Sequence, residues 1–226
     1  MIRAARIPAL WAAVALGACG SAPLPQAGPL VERSAAAMRH VRSVSFELEV
    51  GGDVGALGVR SATGVLTSDG KASGSVLLES GGTLIEYRLV LVGASAYIKG
   101  PTGGFQRISA EAAGVYDPRE LLDPQRGVAG TLEMADGARV EGREEVGGAG
   151  AYRLVATIPT DLVSRFLTLA PGQERARAAL WVGDGRPYLL RVRLSVRLAG
   201  MAEPNPLTVT LSGFDRPVEV TPPPTS

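Results

Sequence analysis

The chain has 226 residues and carries one cysteine, Cys19, and one histidine, His40. A lone cysteine excludes any intramolecular disulfide. One histidine and one cysteine cannot build a zinc shell, and no Asp-x-Asp-x-Asp-Gly loop offers calcium ligands, so neither metal nor cofactor is expected. Nucleophilic catalysis would have to use His40, yet no Gly-x-Ser-x-Gly elbow accompanies it. His40 sits among Arg39 and Arg42 and reads as a solvated helix residue. Glu47 and Glu49 share one strand face, but at period two they read as a solvent-facing edge and not as an acid/base pair. The stretch Gly64 to Lys71 has one residue too many for a phosphate loop, and Ala72 stands where a hydroxyl is needed, so it reads as a hairpin turn. An enzyme is not expected.

Charge of one sign is also missing, with 23 basic residues against 22 acidic. No basic stripe with interleaved aromatics is present, and no nucleic-acid partner is expected. Nor is there a long apolar run at the start of the chain. Ile7 to Leu16 is about ten residues, too short for a hydrocarbon core of about 30 Å.

That short run is nonetheless informative, because Arg3 and Arg6 precede it and Leu16-Gly17-Ala18-Cys19 follows it. This is the order of an export signal, here residues 1–18, ending in a lipobox. Cys19 is the expected site of diacylglycerol attachment, and paired acyl chains suffice for stable anchoring to the outer face of the plasma membrane, in the periplasmic space. Residues 19–29, rich in proline and small side chains, read as the lipidated cysteine and a flexible tether. Residues 30–220 read as one domain, and 221–226, with three consecutive prolines, as a disordered tail. A monomer is expected.

Within the domain, Leu30, Val31, Ser34, Ala35, Met38 and Val41 recur at helical spacing. The period then switches to two at Val44, Phe46, Leu48 and Val50. Further strands are predicted over 59–67, 71–79, 83–92, 95–99, 139–146, 151–158, 178–182, 188–198 and 207–212, with Gly-rich turns between them. Short helices are predicted after Asp117, over 128–134, and after Thr160 or Asp161, where Leu162, Val163, Phe166 and Leu167 share a face. The whole is an α+β chain with an antiparallel sheet of about ten strands. Leu77, Leu78, Leu84, Ile85 and Leu89 to Val92 include neighbours that point to opposite faces, which implies that both faces are at least partly covered.

Several segments carry a resemblance to the LppX/LprAFG lipoproteins of mycobacteria and related actinobacteria. They are Gly28-Pro-Leu-Val-Glu-Arg-Ser, Gly64-Val-Leu-Thr, Gly93 to Tyr97, Val115-Tyr-Asp-Pro, Leu122-Asp-Pro, Gly127-Val-Ala, Val140-Glu-Gly-Arg-Glu, Ala179-Leu-Trp-Val, Leu211-Ser-Gly-Phe and Pro217-Val. The chain departs from the family at Phe105, where tryptophan is common, and in a longer stretch from Arg197 to Asn205. The resemblance implies a strongly curved antiparallel half-barrel, similar to lipoprotein carriers, with helices on its concave face and an apolar cavity between. It implies cargo of diacyl or triacyl glycolipid or triacylglyceride, moved toward the outer envelope, with a membrane lipid transporter as partner. By position, Val76 matches a cavity-wall valine of the family, and Leu78, Ile85, Leu89 and Leu91 continue its face. Phe46, Leu48, Leu66, Tyr97, Tyr116, Leu122, Leu132, Val163, Phe166 and Trp181 complete the expected lining, with Arg107 and Asp117 beside Tyr97 and Tyr116 at the mouth. A scaffolding lipoprotein with a filled core is the competing expectation.

Overall fold

The computed structural model describes residues 23–54, 57–112, 118–165 and 167–225. Its alternating segments form β1 (Ser43–Val50), β2 (Leu57–Thr67), β3 (Ala72–Ser80), β4 (Thr83–Val92), β5 (Ser95–Lys99), β6 (Gln106–Ser109), β7 (Asp136–Val146), β8 (Ala149–Pro159), β9 (Arg175–Gly183), β10 (Leu189–Val196) and β11 (Asn205–Ser212). They make one antiparallel sheet in the order β6-β5-β4-β3-β2-β1-β11-β10-β9-β8-β7. Two meanders, each of sequential hairpins, are thus joined where β1 meets β11, with Phe46 opposite Leu211 and Leu48 opposite Val209. Gly147 and Gly148 take positive φ in the β7–β8 turn, as do Gly81 and Gly82 in the β3–β4 turn. Positive φ at both central residues is the geometry that matches the twist of a two-residue hairpin.

Strand β6 is absent from the sequence-based expectation, because all its residues are exposed and leave no alternation to read. Glu47 and Glu49 are exposed, as period two implies, but on a central strand and not at an edge.

The sheet is open and strongly curved. Laid flat, β4 and β8 would lie about 34 Å apart at the usual strand spacing, yet side chains from both line a single cavity. Gly64 and Gly74, opposite one another on β2 and β3, allow part of this bend. A side chain on Gly74 would run into the carbonyl of Thr63, and one on Gly64 into that of Ser73.

Helix α1 (Ala27–Met38) lies on the concave side and buries Leu30, Val31, Ser34, Ala35 and Met38 of the set its spacing singles out; Val41 is buried just past its end, and His40 is exposed outside the helix. It begins three residues before the expected domain start, so 27–29 is helix and not tether; Pro29 falls in the first turn, where no amide bond is lost. Below α1 are α3 (Val128–Glu133) and the inward faces of β8, β9 and β10, with Leu154, Leu180 and Val182 at most 1% exposed. Helices α2 (Pro118–Leu121) and α4 (Asp161–Ser164) are single turns. Thr160 does not cap α4; its hydroxyl donates instead to the carbonyl of Gln173. Asp117 lies outside the described residues.

Two further expectations change. Residues 221–225 are not a loose end, since Thr225 forms a parallel bridge with Phe105 beside β6, and Val220 is buried. The outer face of the β3–β4 hairpin is uncovered toward its tip, where Leu84 is 56% exposed.

Candidate functional site: an apolar cavity under the helices

Between the curved sheet and the helices lies a cavity of about 510 Å³. That is within the range of about 300–1,000 Å³ usual for ligand sites. Its floor comes from alternate residues of the central strands. Val44, Phe46 and Leu48 of β1, Ala62 and Leu66 of β2, Val76 of β3 and Leu89 of β4 contribute on one side, and Val192 of β10 with Leu207, Val209 and Leu211 of β11 on the other. Its roof is Met38 of α1, Leu121 and Leu122 around the end of α2, Val128, Thr131 and Leu132 of α3, and Leu162 and Val163 of α4. Among the described residues no charged side chain lines it. The hydroxyl of Thr131 is already committed to the carbonyl of Gly127 at 3.0 Å. Such a space cannot hold an ion or a strongly polar ligand without uncompensated desolvation.

The roof is held by polar contacts at its rim. Glu120 pairs with Arg165, joining α2 to the end of α4, and Arg39 pairs with Glu133, joining α1 to α3. In the segment Leu122-Asp123-Pro124, Leu122 enters the cavity while the Asp123 carboxylate accepts the amides of Arg126 at 2.7 Å and Gln125 at 2.9 Å. Those two backbone donors, chiefly that of Arg126, hold its pKa below the ordinary carboxylate value. The turn into α3 is thereby set by the residue next to a cavity wall.

The expected lining divides by geometry. Phe46, Leu48, Leu66, Val76, Leu89, Leu122, Leu132 and Val163 all reach the cavity. Leu78 and Ile85 share its face, directly opposite one another, but lie beyond its end and are half-buried. Leu91 is on the same face yet packed against Ala72 and Ala96, with no share of the hollow. Tyr97 is on the wrong face, since it pairs with Val90, whereas Leu89 and Leu91 face inward. Arg107 is opposite Tyr97 and exposed, with its Nε donating to Ser95, away from the cavity. Cys19, Tyr116, Asp117 and Phe166 lie outside the described residues. Sequence reasoning missed the β11 contributors Leu207, Val209 and Leu211, although their alternation is as plain as that of β1.

Trp181 is the largest correction. Its indole lies on the convex face, where Nε1 donates to Glu144 at 2.7 Å and the guanidiniums of Arg153 and Arg191 stand 5.7 and 5.8 Å from the ring centroid. Arg153 is paired with Glu141, and Arg143 with Asp184. The Val140-Glu-Gly-Arg-Glu and Ala179-Leu-Trp-Val segments therefore meet as one structural knot behind the sheet. Trp181→Phe, which removes the indole donor and weakens the cation stacking, is expected to lower stability by about 1–2 kcal/mol and leave ligand uptake unchanged. Thermal melts read the first and ligand titration the second; impaired uptake by a stably folded variant would place Trp181 back among the binding residues.

Other proteins resemble this chain in sequence and in fold. The chain is 28% identical over 206 residues to the protein named lipoarabinomannan carrier protein LprG of Mycobacterium leprae, covering 90% of this chain and 84% of that one. The LprG of Mycobacterium tuberculosis strain H37Rv is 28% identical over 205 residues, covering 90% and 85% respectively. The crystal structure of LprF from Mycobacterium bovis superposes with a TM-score of 0.73 at 20% identity, over 89% of this chain and 100% of that one. That of LppX from Mycobacterium tuberculosis gives 0.58 at 20% identity, over 85% and 97%. The LppX_LprAFG lipoprotein family model matches residues 26–220, and the chain belongs to that family.

Proposed function

We propose that this protein binds the acyl chains of cell-envelope lipids in its cavity and carries them across the periplasm toward the outer envelope, held at the plasma membrane by lipid on Cys19. The observation that carries the reading is a 510 Å³ hollow with no charged lining among the described residues. A hollow lined mainly by aliphatic side chains, with Thr63, Ser73, Ser75 and Thr131 its hydroxyl residues, matches a hydrocarbon tail. Energetics suit carriage. Burying a methylene is worth about 0.8 kcal/mol relative to water, but a chain leaving a bilayer has that gain already, so exchange between bilayer and cavity is near balance. Near-balance permits both loading and release without a reactive group. The lipoarabinomannan carrier name of the relatives supports the same reading; its cargo would be a glycolipid, supplied by a membrane transporter.

The test is to express residues 20–226, which lack the acylation site, and to search by gentle mass spectrometry for copurified lipid. Stoichiometric diacyl or triacyl lipid is the expected result. Protein that is empty and takes up no lipid from vesicles would defeat the reading and favour a scaffolding role.

A further inference from the structure

The β3–β4 hairpin carries aliphatic residues that neither the core nor the cavity uses. Along its concave face, the pairs Gly74–Leu89, Val76–Tyr87 and Leu78–Ile85 succeed one another toward the turn. Gly74, Leu89 and Val76 line the cavity, whereas Leu78 and Ile85 lie past its end and are only half-buried. They form an apolar track leading from the cavity toward the tip of the hairpin. The tip is a tight turn at Gly81 and Gly82, and just behind it, on the convex face, stands Leu84, at 56% the most exposed large aliphatic side chain among the described residues. The concave face of the hairpin end is thus apolar, and its convex face carries Leu84 beside the ion-paired Glu79.

One charged pair stands level with Leu84, since Glu79 is its cross-strand partner on the convex face. Glu79 is engaged by Arg60, whose Nε lies 2.9 Å from its carboxylate. Glu86 lies two residues behind Leu84 on the same face, with Arg88 two residues further. No charged side chain stands between Leu84 and the turn.

We propose that this tip enters the surface of a phospholipid bilayer, and that the Leu78–Ile85 pair then bridges the acyl region to the cavity. The inference rests on the lipid-carrier reading, which also identifies the occupant. An acyl chain crossing water on its way to the cavity would forfeit its burial methylene by methylene, so the apolar track has to end in hydrocarbon and not in solvent. Dimensions agree, because Ile85 lies about 7 Å behind the last strand pair, and interfacial elements sink about 5–10 Å into the headgroup boundary. Two acids, Glu79 and Glu86, matched by Arg60 and Arg88, give no strong electrostatic pull, so the docking is apolar and neutral lipids suffice.

The experiment uses the purified full chain with vesicles of phosphatidylcholine, either plain or brominated on the acyl chains. Leu84→Trp is expected to be quenched by the brominated lipid well above the wild-type baseline. Ile108→Trp, which places the same probe at an exposed aliphatic position on β6, is not. Leu84→Glu, at an exposed position that leaves the core untouched, is expected to slow transfer of a pyrene-labelled phosphatidylcholine from donor vesicles by about tenfold, with equilibrium loading unchanged. Equal quenching at both positions, none at either, or quenching at 84 only after another protein is added would each overturn the docking. So would Leu84→Glu transferring at the wild-type rate. A wild-type protein that takes up no lipid, while Leu84→Trp is still quenched selectively, would instead overturn the carrier reading and uphold the docking.

Discussion

Val76→Trp is expected to fold like the wild type and to bind acyl chains about fiftyfold more weakly. Val76 points from the middle of β3 into the cavity, between Ala62 of β2 and Tyr87 of β4, and is only half-buried. An indole there grows into empty space and not into packed neighbours, so the usual penalty for overfilling a core does not arise. It does displace ligand. The added volume is that of about three methylenes, roughly 2.4 kcal/mol of burial denied to the chain. Titration with a fluorescent fatty-acid analogue reads the affinity, and a thermal melt shows whether the fold is intact. Val76→Ala is the counterpart, since it enlarges the hollow and should bind as well as the wild type. Unchanged affinity in Val76→Trp would mean that the chain runs elsewhere along the sheet.

Alternation puts Phe46 and Leu48 on the face that borders the cavity and misplaces Trp181, for one physical reason. Period two sorts the residues of a strand into two faces, but says which face is inward only if the other is polar. In β1, Phe46 and Leu48 alternate with Ser45, Glu47 and Glu49, and the inward set is unambiguous. In β9, Trp181 sits between Leu180 and Val182, all three buried, because the convex face there has its own apolar cluster with Val146 and Ala151. Hydrophobicity on both faces erases the parity signal. Tyr97, between Ala96 and Ile98 on β5, fails for the same reason. Leu78 and Ile85 share the face of Val76 by parity but lie past the cavity, and nothing along a strand records how far a helix from elsewhere in the chain reaches over it. The fold itself is easier to read, because strand pairing follows from short turns between alternating segments. The one distant join, β1 with β11, which closes the cavity floor, is the part that no local pattern encodes.

Leu154→Ala is expected to destabilise the protein by about 2–5 kcal/mol, lowering its melting temperature by about 5–15 °C for a chain of this size, while the molecules that remain folded take up ligand normally. Leu154 is 0% exposed on the inward face of β8, opposite Leu180 of β9, and belongs to the core packed under α1. It has no share in the cavity wall. Truncation therefore opens a new void among closely packed side chains, and the cost combines the transfer free energy of the missing atoms with the dispersion attraction forfeited by the walls of that void. Leu48→Ala offers the contrast, because Leu48 is half-buried and already borders the cavity. Much of its surface has no protein neighbour to lose, so its cost is expected to be less than half that of Leu154→Ala. Denaturant titrations of the two variants, made without ligand, give the comparison directly. Equal losses would mean that the space beside Leu48 is filled in solution, leaving the half of the sheet built from β1 to β4 as solid as that under α1. Unequal losses in the expected sense would show an interior divided between a packed half that holds the sheet in its curve and a hollow half kept open by that curvature.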